Sequence, residues 1–122
     1  MTDSIDVLLV DEDKETLELA ATFLERKSPR ITTASETDPE TAVDRAVDGG
    51  FDCVVSDYRM PELDGVELCR AIREREQLPF FLFTAVSASE IEDESVVTGS
   101  VRKGAGTEHY DELVERIEAA VP

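Results

Sequence analysis

Residues 52–65 read Asp52-Cys53-Val54-Val55-Ser56-Asp57-Tyr58-Arg59-Met60-Pro61-Glu62-Leu63-Asp64-Gly65. The first half is a short apolar strand that ends in an acid. The second half is a loop that runs into an amphipathic helix over Gly65 to Glu76, with Val66, Cys69 and Ile72 facing inward. The same unit recurs on both sides. Ile5 to Val10 is a nearly unbroken apolar run ending in Asp11-Glu12-Asp13, the pattern of a strand buried on both faces. Lys14 to Lys27 follows as a helix, with Leu17, Ala20, Ala21 and Leu24 at spacings of three and four. Arg30 to Ala34 is a short β-branched strand. Asp38-Pro39 then opens a helix as cap and first residue, Ala42, Val43, Ala46 and Val47 form its apolar face, and Gly49-Gly50 ends it.

The alternation continues to the end of the chain. Pro79 to Thr84 is strongly apolar and reads as a strand. Ser89 to Val97 predicts a weak, acidic helix, and Val101 with its neighbours a short strand. Thr107 is positioned to cap a last helix, with Tyr110, Leu113, Val114, Ile117 and Val121 as its stripe. Five strands alternating with five helices predict an α/β fold: a doubly wound, five-stranded parallel sheet with helices on both faces. No repeat, low-complexity tract or linker divides it, so residues 1–122 are expected to form one domain.

In an open parallel sheet, ligands bind outside the carboxyl ends of the strands. Those ends carry Asp11 and Glu12, then Asp57, then Thr84, then Lys103. Each alone reads as a cap, a loop residue or a surface lysine; the five together, each after its own strand, point to phosphoryl transfer. Clustered carboxylates repel one another and are relieved by a hard divalent cation such as Mg²⁺, which takes few carboxylates and keeps waters. One carboxylate can act as nucleophile and form an acyl phosphate. A metal and an ammonium neutralise the oxygens of the moving group, and a hydroxyl can donate to it once attached.

Val10-Asp11-Glu12-Asp13, Ser56-Asp57-Tyr58-Arg59-Met60-Pro61, Leu63-Asp64-Gly65, Thr84-Ala85 and Lys103 resemble the receiver domain of two-component response regulators. The resemblance runs from about Ile5 to Val121. It implies the flavodoxin-like strand order 2-1-3-4-5. It implies that Asp57 is the phosphoacceptor, charged from a phosphohistidine on a sensor histidine kinase or phosphotransfer protein. It also implies that Mg²⁺ is held by Asp11, Glu12, Asp57 and the Arg59 backbone carbonyl, with Glu12 a direct ligand and Asp11 acting through water. Thr84 and Lys103 would hold the phosphoryl oxygens, Ala85 would leave them room, and Asp13 would cap the first helix. The stretch Arg102 to Glu108 resembles receivers of halophilic archaea, which are often joined to sensor or kinase modules.

Three departures from the family pattern stand out. Lys103 is followed by Gly104 where most receivers have proline, so no cis bond is expected there. Ser100 stands where the family usually carries Tyr or Phe, the ring whose rotation is coupled to the threonine. The segment between Thr84 and Lys103 is a few residues short, with only Ile91, Val96 and Val97 as an apolar face, so its helix is expected to be short or irregular. Output through this region is therefore expected to be weak, and the chain to be a monomer or a weak dimer with an unidentified output partner. Two other readings are compatible with the residues. One is a degenerate receiver that binds partners without phosphorylation. The other is a Mg²⁺-dependent phosphatase with an aspartyl nucleophile; against it, Asp57 lacks an acid two residues on, although Asp11 has Asp13. Catalysis is otherwise expected to be limited to the chain's own phosphorylation and dephosphorylation.

Composition narrows the partners. Asp plus Glu number 29 against 12 Lys plus Arg, a net charge of −17. That surface repels phosphate backbones and anionic lipid, so neither nucleic acid nor membrane is expected as a partner. The longest apolar run, around Phe80 to Phe83, is too short to span a bilayer, and the N-terminus lacks the regions of a signal peptide; a cytoplasmic location follows as an expectation. Cys53 and Cys69 lie in separate apolar segments and read as buried free thiols, and a lone His109 does not support zinc. The basic residues are nine Arg and three Lys; high acid with little lysine resembles halophile proteins, in which salt screens self-repulsion.

Overall fold

Alternate residues of the first strand, β1 (Ile5–Val10), go to opposite faces of one sheet and into two separate cores. Ile5, Val7 and Leu9 meet Leu17, Ala20 and Leu24 of helix α1 (Lys14–Lys27) and Tyr110, Leu113 and Ile117 of helix α4 (Glu108–Ala120). Leu8 and Val10 meet Ala42 and Ala46 of α2 (Pro39–Asp48) and Leu68, Cys69 and Ile72 of α3 (Gly65–Arg73). The remaining strands are β2 (Ile31–Glu36), β3 (Cys53–Ser56), β4 (Phe80–Thr84) and β5 (Gly99–Arg102). All neighbours pair in parallel, in the order β2-β1-β3-β4-β5, as the resemblance implies. The computed structural model describes residues 4–104 and 106–121. Met1 to Asp3, part of the N-terminus weighed as a leader, lie outside the described residues, as do Ala105, within the Arg102 to Glu108 stretch, and Pro122.

Local chemistry explains the helix starts. Asp13 accepts the Glu15 N–H and Asp38 the Thr41 N–H, so both act as the expected caps. Asp64 and Glu67 form a reciprocal capping box at the start of α3. Thr107 stands at the cap position of α4, but its side chain makes no capping bond; its backbone near ψ 1° turns it away from the extended geometry that capping uses. Helix α3 ends at Arg73, three residues before the predicted Glu76.

Only four α-helices form among the described residues, against five predicted. The segment predicted as a helix over Ser89 to Val97 is instead two single-turn 3-10 helices, Ala88–Glu90 and Glu94–Val96, parted by Asp93 with φ at +57°. Its acids and three scattered apolar residues bury too little to hold a continuous helix. Arg73 holds the segment instead, donating to the Val96 carbonyl and to Thr98 Oγ1 at 3.0 Å, while Thr98 Oγ1 accepts the Phe80 N–H at 2.9 Å.

Part of the outer edge of β2 is taken up by its own surroundings. The Ile31 N–H goes to the Ser28 carbonyl, the Thr33 N–H to a Glu25 carboxylate oxygen at 2.8 Å, and Arg45 donates to the Ser35 carbonyl at 2.8 Å.

Candidate functional site

The parallel register brings Asp11, Asp57, Thr84 and Lys103 to one end of the sheet. The Asp57 N–H donates to the Val10 carbonyl at 3.0 Å, and the Lys103 N–H to the Thr84 carbonyl at 2.8 Å. Backbone bonds thus tie the turns after neighbouring strands together, and residues 47 and 19 positions apart in the chain become neighbours. Asp11 is only 5% exposed. One of its oxygens accepts the Asp13 N–H at 2.9 Å and the other accepts from Lys103 Nζ at 3.1 Å. The same ammonium lies 3.9 Å from Asp57 Oδ2, and the second Asp57 oxygen takes the Tyr58 N–H at 2.7 Å. Lys103 Nζ also sits 5.3 Å from the centre of the Phe83 ring, a cation–π contact that steadies the side chain. Burying a carboxylate here is tolerable because it is paired and hydrogen-bonded.

Thr84 is buried and its hydroxyl oxygen accepts the Val86 N–H at 3.3 Å, which orients the group at the mouth of β4. Glu12 is exposed, and its side chain makes no hydrogen bond or ion pair with a described residue. The Arg59 carbonyl, in the loop after β3, takes no backbone bond from a described residue; its guanidinium leans over the Tyr58 ring at 5.9 Å and lies 3.9 Å from Glu90. Of the predicted residues, then, Asp11, Asp57 and Lys103 are in contact, Thr84 is backbone-linked to them, and Glu12 and Arg59 flank the opening.

The donor set fits Mg²⁺. Asp11, Asp57 and the Arg59 carbonyl supply oxygens only, as a hard cation prefers, and few enough to leave places for water. The approach of one ammonium to both carboxylates shows that this end of the sheet already holds positive charge between them. Among the described residues no three His, Cys, Asp or Glu side chains converge into a ready-made cage.

Gly65 shapes the loop that carries Asp57. Its N–H donates to the Tyr58 carbonyl at 2.7 Å, and a Cβ there would lie 2.6 Å from the Asp57 carbonyl and 2.5 Å from Leu82 Cδ2. The motif Leu63-Asp64-Gly65 is thus a close approach of helix to the Asp57 loop. Ser56, fully buried, donates to the Asp57 carbonyl at 2.8 Å from beneath.

Two residues near the site were not singled out from the sequence as parts of it. Tyr58 is buried and its hydroxyl oxygen accepts the Glu92 N–H at 3.3 Å. His109 accepts the Gly104 N–H on Nδ1 at 3.3 Å. A tyrosine beside Asp57 in a chain with few aromatics was the available signal for the first; nothing in the spacing marked the second. The thiols of Cys53 and Cys69 are free and buried, and burial pushes Cys53 up to about 12, which disfavours its nucleophilic thiolate form.

The model of the response regulator receiver domain matches residues 7–118. The heme response regulator HssR of Staphylococcus epidermidis is 29% identical over 117 residues, covering 96% of this chain and 51% of that protein. The response regulator domain of Thermotoga maritima CheB superposes with a TM-score of 0.84 at 19% identity, over 97% of this chain and 96% of that one. The response regulator protein TrrA of Thermotoga maritima, solved in complex with Mg²⁺-BeF, gives a TM-score of 0.81 at 23% identity over 93% of this chain and 98% of that one. TrrA has also been solved in complex with the histidine kinase ThkA. The two solved likenesses carry the fold. The chain belongs to the response regulator receiver domain family. It spans from about a third to a half of the length of the curated relatives it matches. No described helix is long and apolar enough to cross a membrane.

Proposed function

We propose that this chain is a phosphorylatable switch that accepts a phosphoryl group onto Asp57 from the phosphohistidine of a sensor histidine kinase or phosphotransfer protein, in the cytoplasm and with Mg²⁺. The observation that carries the reading is Lys103, whose ammonium lies 3.1 Å from Asp11 and 3.9 Å from Asp57. An Asp57 carboxylate oxygen attacks phosphorus, the bond from phosphorus to the imidazole nitrogen breaks, and the histidine leaves. Lys103 stays within reach of the oxygens that gain charge, and the Thr84 hydroxyl can donate to the group once it is on Asp57. Asp11, Asp57 and the Arg59 carbonyl would hold Mg²⁺, with Glu12 turning in from the rim. Bound there, the ion neutralises charge on the transferring group. TrrA, similar in fold, has been captured with Mg²⁺-BeF and with a histidine kinase, and both facts support this assignment. Catalysis is confined to the chain's own phosphorylation and dephosphorylation.

Acetyl phosphate with Mg²⁺, read by intact mass, tests it. The wild-type chain should gain one phosphoryl group and Asp57→Asn none. Persistent labelling of the Asn variant, mapped to another acid, would falsify the assignment of Asp57. No labelling of the wild-type chain would favour the phosphorylation-independent interaction module, which Ser100 and Gly104 also suit.

A further inference from the structure

We propose that His109 is a positioning residue for Lys103: its Nδ1 accepts the Gly104 N–H at 3.3 Å and so fixes the turn from which the ammonium is aimed. The proposal rests on the phosphorylation reading above. Lys103 is anchored on its near side by its own N–H, bonded to the Thr84 carbonyl at 2.8 Å. On its far side comes Gly104, around whose Cα no atom stands close enough to touch an added Cβ. Glycine in open space restrains neither φ nor ψ, so packing does not hold the backbone there. The bond to His109 supplies the restraint.

The imidazole is well placed to do this. Its ring lies 5.3 Å from the Phe83 ring and 4.2 Å from the Tyr110 ring, and Tyr110 stacks on Phe23 at 4.8 Å. Phe83 is also the ring under the Lys103 ammonium. The tip of the lysine and the turn behind it are therefore both referenced to one buried aromatic residue of β4. Accepting at Nδ1 requires a neutral imidazole with its proton on Nε2. Burial and the Lys103 ammonium hold His109 below its ordinary value, against Glu108, which pulls it up. Lys103 on the turn and Glu108 on α4 are the charged groups that act on it; Phe83 of β4 and Tyr110 are uncharged near neutral pH. The arrangement gives this chain, by a side chain, the rigidity that a proline after the lysine would give covalently.

The test compares wild type, His109→Asn and His109→Phe. Asn carries an acceptor oxygen the same number of bonds from the backbone as Nδ1, whereas Phe keeps a ring against Phe83 and Tyr110 and removes the acceptor. Rates of phosphorylation by acetyl phosphate with Mg²⁺ are measured between pH 5 and 8 (about the span over which an imidazole titrates). At the upper end His109→Phe should be about tenfold slower than wild type, and His109→Asn nearly as fast. Towards low pH the wild-type rate should fall to that of the Phe variant, while the Asn variant keeps its advantage. A Phe variant that is folded and as fast as wild type, or an Asn variant as slow as the Phe variant, overturns the proposal. The Gly104 amide resonance of the unphosphorylated protein gives the second readout: it should titrate together with the His109 ring and lose that dependence in both variants. If no protein takes up phosphoryl groups, the phosphorylation reading has failed, and a Gly104 amide that ignores His109 rejects the positioning role on its own evidence.

Discussion

Ser100 donates its hydroxyl to the Glu94 carboxylate at 2.8 Å. The residue that stands where receivers usually carry an aromatic ring is thus bonded to the second 3-10 turn, and it has no ring to rotate toward Thr84. A hydrogen bond from the Asp57 loop reaches this region elsewhere, at the Tyr58 hydroxyl, which accepts the Glu92 N–H, beside the looser approach of Arg59 to Glu90. A switch needs an element whose two states the phosphoryl group binds differently. Beryllofluoride with Mg²⁺ should therefore shift amides in the loops after Asp57 and Thr84 and at Glu92, and leave Val96 to Arg102 quiet. Tyr58→Phe should abolish the Glu92 response. Large shifts throughout Val96 to Arg102, with a stable dimer in light scattering, would show that another residue has taken over the ring's work.

On the proposed assignment, Lys103 and Mg²⁺ compete for the same carboxylates, Asp11 and Asp57. Melting temperature should rise with Mg²⁺, by an amount equivalent to about 2.7 kcal/mol at a hundredfold excess over the dissociation constant. The rise should be larger in Lys103→Met, because Asp11 is then buried without its counter-charge, and smaller in Glu12→Ala if Glu12 swings in as a ligand. Equal rises in all three proteins would mean that the ion binds elsewhere on the acidic surface.

Gly65→Ala should cost about 1–3 kcal/mol, the usual penalty for forcing an extra carbon into a packed site. The added carbon meets the Asp57 carbonyl and Leu82, so α3 and the Asp57 loop must separate. Urea denaturation reads the loss, and the same variant should be phosphorylated more slowly. A neutral substitution would show that the helix can back away freely.

Acid should weaken the helix starts. Thr16 and the Glu15 N–H hold Asp13 below the ordinary carboxylate range, and Thr41 does the same for Asp38. A folded-state value below the unfolded one contributes stability that is present above about pH 4 and lost as pH falls through the lower value. Asp13→Asn, which keeps the cap and removes the titration, should flatten the acid limb of a stability–pH curve; an unchanged limb would assign acid sensitivity to other carboxylates.

Stability should increase with KCl to molar concentrations, since the repulsion within a net charge of −17 is screened over about 3 Å at 1 M salt. Flat denaturant midpoints from low salt to molar KCl would remove the physical basis of the halophile reading.

The sheet was legible because each buried strand is a short apolar run ended by a polar residue, and because Asp13 and Asp38 mark where two helices begin; the capping box of Asp64 and Glu67 emerged only in the structure. The site was legible for the same reason: parallel strands deliver Asp11, Asp57, Thr84 and Lys103 to one end whatever their separation in sequence. What stayed hidden was decided by contacts between distant residues. Nothing in Ser89 to Val97 announces that Arg73 will hold its backbone in place of a helix, nor that Tyr58 will reach Glu92. Thr107 has the chemistry of a cap without the backbone angle, and the bond from Gly104 to His109, five residues on, follows no spacing rule.

The partly covered edge of β2 acquires a different significance at high salt. In dilute buffer, mutual repulsion keeps copies of so acidic a chain apart. Concentrated salt removes that protection and strengthens apolar association at the same time. Colloidal behaviour then depends on short-range geometry, and an open strand is the commonest template for sheet-to-sheet growth. Glu25 and Arg45, by occupying the Thr33 N–H and the Ser35 carbonyl, take away part of the template that such growth would use.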